Sequence, residues 1–342
     1  MACDRRLAMT QTTAMQRPKM LKPGDTVALI APASPMCRGK EAAPDILERA
    51  RRRLHRAGFR TVVGAHALDV RGYLAGRDED RARDLMAAFA DPAVDGIVCV
   101  GGGYGSPRIL DLLDYDLIAR HPKVFVGYSD ITALHCAIGK RAGLVTFHGL
   151  MGWDLAREPE SGAQARAVEF TWEWFVRAVM RPEPLGPLPA RAPWQERSLE
   201  PIVPGVARGP LVGGNLSLLV ATLGTPYELD TAGKILLIED VGEAPYRIDR
   251  MLTHLRLAGK LEGAAGFIFA EWVDCEPADP KRPTLTLRQV LADIIEPLGK
   301  PAVYGLAAGH GPGRLTLPLG ATVTLDATSP AIIVEEPGVV AG

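Results

Sequence analysis

The chain has 342 residues, with 39 Lys and Arg against 40 Asp and Glu, a formal net charge of −1. That length predicts about two domains, and the balanced charge excludes the basic excess that a nucleic-acid partner requires. A content of 47% hydrophobic and 23% charged residues excludes a disordered chain. Glycine and proline stand out at 36 and 28 residues, above average usage of roughly 7% and 5%, which points either to low complexity or to many turns of demanding geometry.

From residue 25 to 150, short apolar runs alternate with amphipathic stretches. Val27 to Ala31 predicts a buried strand stopped by Pro32, and Ile46, Leu47, Ala50, Leu54 and Ala57 follow at helical spacing before Gly58. Thr61–Val63, Gly96–Val100, Val124–Val126 and Leu144–Phe147 predict further strands. Helices are predicted through Leu85 to Phe89, over Pro107–Leu113 and over Asp130–Lys140. Continuous apolar strands separated by helices predict a doubly wound parallel sheet of the flavodoxin or Rossmann type, over residues 20–165. Residues 163–180 read as a helix, and 181–204 hold seven prolines, so 166–205 is expected to be a helix and a Pro-rich linker or extended strap. A smaller C-terminal α/β domain over 206–342 follows. It has a helix start at Gly214–Leu223, strands at Lys234–Ile238 and Gly266–Ala270, and helices at Tyr246–Leu257 and Leu285–Leu298. Antiparallel strands close it at Thr322–Leu325 and Ala331–Val334.

Five cysteines at irregular spacing favour neither a disulfide framework nor a zinc site, and Cys99 and Cys136 read as buried thiols. No run approaches the ~20 apolar residues of a membrane span, and the first 20 residues lack a signal-peptide core. The expectation is a cytoplasmic protein without metal or organic cofactor.

Four stretches can carry chemistry. In Val124-Phe-Val-Gly-Tyr-Ser129-Asp-Ile, a strand runs into Gly127 and a helix begins after Ser129, the context of a nucleophile elbow, although Ile131 stands where G-x-S-x-G has its last glycine. The alternative is a serine that caps its helix. Gly101 to Gly105 follows a strand and precedes a helix, a turn able to present N–H groups to an anion or a developing oxyanion. It lacks the last glycine of a dinucleotide fingerprint, because Ser106 stands there. Glu239 and Asp240 end the apolar strand Lys234–Ile238, a place where sites collect or where a carboxylate caps the next helix. His310 sits in Gly309-His-Gly-Pro-Gly-Arg314, a stiff turn that suits a general base. Triads are defined by geometry, so the order Ser129, Glu239, His310 does not by itself close the case.

The same stretches, with Lys22 to Ser34, Gly72 to Gly76, Gly213 to Ser217, Tyr246 to Arg250 and Leu315 to Gly320, resemble the LD-carboxypeptidase family, which includes the microcin C self-immunity peptidases. The resemblance implies a serine peptidase with Ser129 as nucleophile, His310 as base and Glu239, in preference to Glu243, as orienting carboxylate. Gly102, Gly103 and Asp130 would line the oxyanion and substrate site, with the N–H groups of Gly103 and Asp130 as donors. It further implies a homodimer and a small peptide substrate ending in a D-amino acid. The reaction would be release of terminal D-alanine from murein tetrapeptides; the alternative is hydrolysis of peptide–nucleotide antibiotics. Gly101 and Leu150 depart from the family's Arg and Pro, which bears on substrate choice. Readings from outside the family are a non-catalytic ligand-binding protein and, from the glycine turn, a nucleotide-binding enzyme.

Overall fold

A computed structural model describes residues 15–36, 43–158, 161–277, 279, 281 and 283–342. In the first half β1 (Thr26–Ile30), β2 (Arg60–Val63), β3 (Gly96–Cys99), β4 (Val124–Gly127) and β5 (Thr146–His148) are parallel. They alternate with α1 (Ala43–Arg56), α2 (Asp78–Ala90), α3 (Tyr115–Arg120) and α4 (Thr132–Ala142). The strand order 2-1-3-4-5 is that of the flavodoxin-like doubly wound fold, with its topological switch point between β1 and β3. The stretch expected as a helix at Pro107–Leu113 is a 3-10 helix, Ser106–Leu112, and α3 is an addition to the expected elements.

After α5 (Gly152–Ala156) and α6 (Ala163–Val179) the Pro-rich stretch begins. It forms β6 (Gly186–Pro187) and β7 (Glu200–Val203). The remaining elements are β8 (Val206–Asn215), α7 (Leu216–Ala221), β9 (Ile235–Glu239), α8 (Pro245–Leu257), α9 (Lys260–Gly263), β10 (Gly266–Ala270), α10 (Leu287–Ile295), β11 (Ala302–Leu306), β12 (Leu317–Leu319), β13 (Thr322–Asp326) and β14 (Ala331–Val334). The second sheet has eight strands, ordered 6-14-13-8-9-10-11-7. Strands β8 to β11 are parallel, and β13, β14, β6 and β7 are antiparallel additions.

The second sheet is the larger, with eight strands against six. Its two edge strands come from the Pro-rich stretch, which lies along that sheet as a strap; edges are where a strand tolerates residues without an N–H. Strand β12 leaves the second half altogether and pairs antiparallel with β5 at the edge of the first sheet, Leu317 opposite His148.

The strands alternate their side chains between layers. Val27, Leu29, Val98, Val124 and Val126 of the first sheet join Ile235, Leu237 and Ile268 of the second in one buried cluster. Their neighbours Ala28, Ile30, Ile97 and Phe125 form a second cluster, and Leu236, Ile238, Phe267 and Phe269 a third under α8 and α10. Each fully buried Val, Leu, Ile or Phe contributes about 1.5–3 kcal/mol, so the shared cluster holds the two halves in register.

Candidate active site

Ser129 stands at the turn from β4 into a short 3-10 helix, Ser129–Ile131, that leads into α4. Its φ of +60° is one of two positive values among described non-glycine residues. Backbone held there costs of order 1–3 kcal/mol and gathers at functional sites. The turn is tight because of Gly127, where a Cβ would lie 2.9 Å from Cγ2 of Ile131. The helix that follows starts from Tyr128, and no serine side chain caps it. The reading of Ser129 as a helix cap is therefore corrected: its hydroxyl faces elsewhere.

It faces His310. Nε2 of His310 is 3.0 Å from Oγ of Ser129, and Nδ1 is 2.6 Å from Oε2 of Glu239. Glu239 ends β9 and is fully buried, while the His310 side chain keeps 15% of its exposure. Ser129, from the first half, thus meets Glu239 and His310 from the second. The His310 ring also lies 5.0 Å from that of Tyr128, the residue before the serine. His148 hydrogen bonds through Nε2 to the carbonyl of Ala308, at 2.7 Å. Burial pushes its pKa down, so the neutral ring donates there.

The glycine turn after β3 crosses the switch point and lies against the serine. A Cβ on Gly102 would stand 3.0 Å from Cβ and 3.3 Å from Oγ of Ser129. The carbonyl of Gly102 accepts from the N–H of Ser34 at 3.0 Å, and in a trans peptide the N–H of Gly103 then points the opposite way. Gly103 has φ +90°, and a Cβ there would run into the Ser34 hydroxyl. Asp130 turns its carboxylate inward, where Oδ2 accepts from the N–H of Ser106 at 2.7 Å and burial raises its pKa. Its own N–H, second in the short helix, has no intrahelical acceptor.

Ser34 and Glu271, which the sequence does not single out as site residues, also reach this site. Ser34, just past β1, accepts from the Tyr104 N–H at 2.9 Å and donates to the carbonyl of Tyr73, so one hydroxyl ties two loops to the glycine turn. Its cue was its place after the first apolar strand. Glu271 follows β10 and accepts at Oε1 from Nε1 of Trp194 and Nε2 of Gln195, which brings the Pro-rich strap to the site. Asp240 belongs to the scaffold: it accepts from Asn215 and Ser217 and fixes the start of α7. Gly101 lies under Trp153, whose Nε1 would be 2.7 Å from a Cβ there, and Leu150 is buried. Among the described residues no three His, Cys, Asp or Glu side chains converge to hold a metal. Cys99, Cys136 and Cys275 are free and buried, and burial pushes the Cys136 thiol to about 12 and that of Cys275 to about 11.

A strained serine, a histidine in reach of it, a buried carboxylate behind the histidine and a glycine turn beside them are the parts of a serine-type hydrolase. Residues 27–149 match the LD-carboxypeptidase N-terminal domain and residues 208–325 the LD-carboxypeptidase C-terminal domain. The chain is 41% identical over 327 residues to the "Probable murein peptide carboxypeptidase" of Bacillus subtilis, covering 93% of this chain and 94% of that protein. The solved muramoyltetrapeptide carboxypeptidase of Oxalobacter formigenes superposes with a TM-score of 0.74 at 28% identity, over 91% of this chain and 99% of that one. The microcin C7 self-immunity protein, solved in complex with aspartyl sulfamoyl adenosine, superposes with a TM-score of 0.82 at 25% identity, over 95% and 99%. The protein belongs to the LD-carboxypeptidase family and is a serine-type carboxypeptidase.

Proposed function

We propose that the protein hydrolyses the L,D-peptide bond that releases terminal D-alanine from murein tetrapeptides. The reading rests above all on one observation, the hydrogen-bonded chain from Ser129 through His310 to Glu239 at 3.0 and 2.6 Å. The names and close similarity of the murein relatives support the substrate.

In this reading His310 Nε2 takes the proton of Ser129 Oγ as the oxygen attacks the scissile carbonyl carbon. Glu239 holds the proton on Nδ1 and stabilises the imidazolium. The N–H groups of Asp130 and Gly103 receive the negative oxygen of the tetrahedral intermediate, and losing one such donor costs about 10²–10³ in turnover. His310 then returns the proton to the departing amine of D-alanine. Water, activated by the same histidine, releases the acyl group and restores the serine. No step calls on a cofactor.

The test is to incubate the protein with a tetrapeptide ending in D-alanine and with its all-L counterpart. Cleavage of the first alone is expected; equal cleavage of both would sink the reading. A second reading, hydrolysis of peptide–nucleotide antibiotics, is favoured by the higher TM-score to the self-immunity protein. It gains if aminoacyl sulfamoyl adenosines are cleaved and murein peptides are not. A cytoplasmic homodimer completes the proposal. The free thiols suit a reducing compartment, and sedimentation of the purified protein tests the dimer.

A further inference from the structure

The loop that carries His310 is held by its carbonyls. That of Ala308 accepts from His148 and that of Pro312 from Arg157, both from the first half of the chain. Those of Gly309 and Gly311, on either side of the histidine, both accept from Arg314, through Nε and Nη2 at 3.3 Å each. The third nitrogen, Nη1, pairs with Oδ2 of Asp154 at 2.5 Å. Asp154 lies in α5, in the first half, and Oδ2 also accepts from the N–H of Met151 at 3.0 Å. The guanidinium stacks on Tyr128, its Cζ 4.0 Å from the ring centroid, and Tyr128 is the residue before Ser129.

An arginine beside a carboxypeptidase site invites a role in gripping the substrate carboxylate. Arg314 is unsuited to it: its side chain is 3% exposed and each of its nitrogens has a partner. Its geometry instead spans the gap that catalysis must bridge. One planar group touches both sides of the histidine's loop, the element that leads into the serine, and a carboxylate fixed to the first half. A lysine could keep the charge but not the fork.

We propose that Arg314 and Asp154 are positioning residues, a buried pair that holds His310 at hydrogen-bonding distance above Ser129 across the two halves of the chain. This rests on the reading of Ser129 and His310 as nucleophile and base.

The test compares Arg314→Lys, Arg314→Met and Asp154→Asn with wild type and Ser129→Ala, using a fluorophosphonate. In that reaction Ser129 Oγ bonds to phosphorus, fluoride leaves, and the Oγ proton passes to His310, so its rate reads the serine–histidine geometry without a peptide substrate. Per titrated site, Arg314→Lys and Asp154→Asn should react about 10-fold more slowly and Arg314→Met about 100-fold, the scale of a 1 Å misplacement. For a D-alanine tetrapeptide, kcat should fall by the same factors while KM stays within about twofold. An arginine that only stabilised the fold would lower the melting temperature and the titratable fraction and leave the rate per site unchanged. Folded variants that react within about twofold of wild type overturn the proposal. Should Arg314→Met fail to fold, the Lys and Asn variants decide on the same threshold. Normal phosphonylation by a wild type that cleaves no peptide would sink the murein reading alone. A wild type as inert as Ser129→Ala would sink both.

Discussion

Glu239 meets His310 with one oxygen only: Oε2 lies 2.6 Å from Nδ1, while Oε1 is buried with no hydrogen-bond partner among the described residues. A fully buried carboxylate with one shared proton to accept is a strict selector of tautomer. It keeps the proton on Nδ1 and leaves the Nε2 lone pair for the serine.

Replacing Glu239 with Gln should therefore lower kcat about 10⁴-fold, the scale of losing the tautomer-fixing carboxylate of a serine triad. The side chains are nearly equal in volume, so the fold should survive. Steady-state kinetics with near-ultraviolet dichroism as a check on packing decide it. A loss below about tenfold would mean that His310 is oriented by something else.

Gly102 makes the second prediction. A Cβ there would sit 3.0 Å from Cβ of Ser129, closer than side chains normally approach, so Gly102→Ala must push the serine or the glycine turn aside. The expected result is a drop in kcat of about 10²-fold with a near-normal melting temperature, because the backbone at 102 does not require positive φ. Gly103→Ala, at φ +90° and against the Ser34 hydroxyl, should lose stability as well. Equal activity of Gly102→Ala and wild type would mean that the turn is not in contact with the reacting serine.

Strands β1, β3, β9 and β10 were legible because all their residues are buried and so read as unbroken apolar runs. Strand β8 is not: the helix start expected at Gly214–Leu223 is present as α7, capped by Asn215, but the strand that leads into it carries no apolar run. Val206–Asn215 contains one proline and three glycines, and what makes it a strand is pairing with β9 and β13 on either side. Strand β12 has three residues and exists only because β5 lies beside it. The site divides the same way. Ser129, Glu239 and His310 stand at strand ends and glycine turns, where backbone geometry advertises them. Ser34, Asp154, Arg314 and Glu271 act through contacts from elsewhere in the chain, and nothing within a window of sequence records those partners.

Ser34 yields a third prediction of a different kind. Its hydroxyl accepts from the Tyr104 N–H and donates to the Tyr73 carbonyl, so Ser34→Ala leaves both loops short of a partner. The cost should be about 1 kcal/mol of stability, as for a typical lost hydrogen bond. With the glycine turn less firmly held, kcat should fall further than KM rises. Urea denaturation and steady-state kinetics on the same preparation separate the two effects. An unchanged kcat would show that the turn holds its shape without the serine.

The last prediction concerns acid. His135, on α4, is buried and hydrogen bonds through Nε2 to the Gly127 carbonyl and through Nδ1 to Oγ1 of Thr146, each at 2.9 Å. Burial disfavours the charged ring and pushes its pKa down to about 3, whereas an unfolded histidine titrates near 6.5. Between these values the unfolded chain binds one proton that the folded chain refuses. The stabilising contribution is therefore complete above about pH 6.5 and is lost as the pH falls toward about 3. His135→Gln removes the titrating group while leaving a side chain able to hydrogen bond. Carboxylates such as Asp130 titrate in both proteins and cancel in the comparison. The difference in unfolding free energy between wild type and variant should thus shift by about 1.4 kcal/mol per pH unit, to the disadvantage of wild type as the solution is acidified from about pH 6 to about pH 4. Denaturation curves at stepped pH measure it, and parallel pH profiles for the two proteins would show that His135 takes up its proton in the folded state.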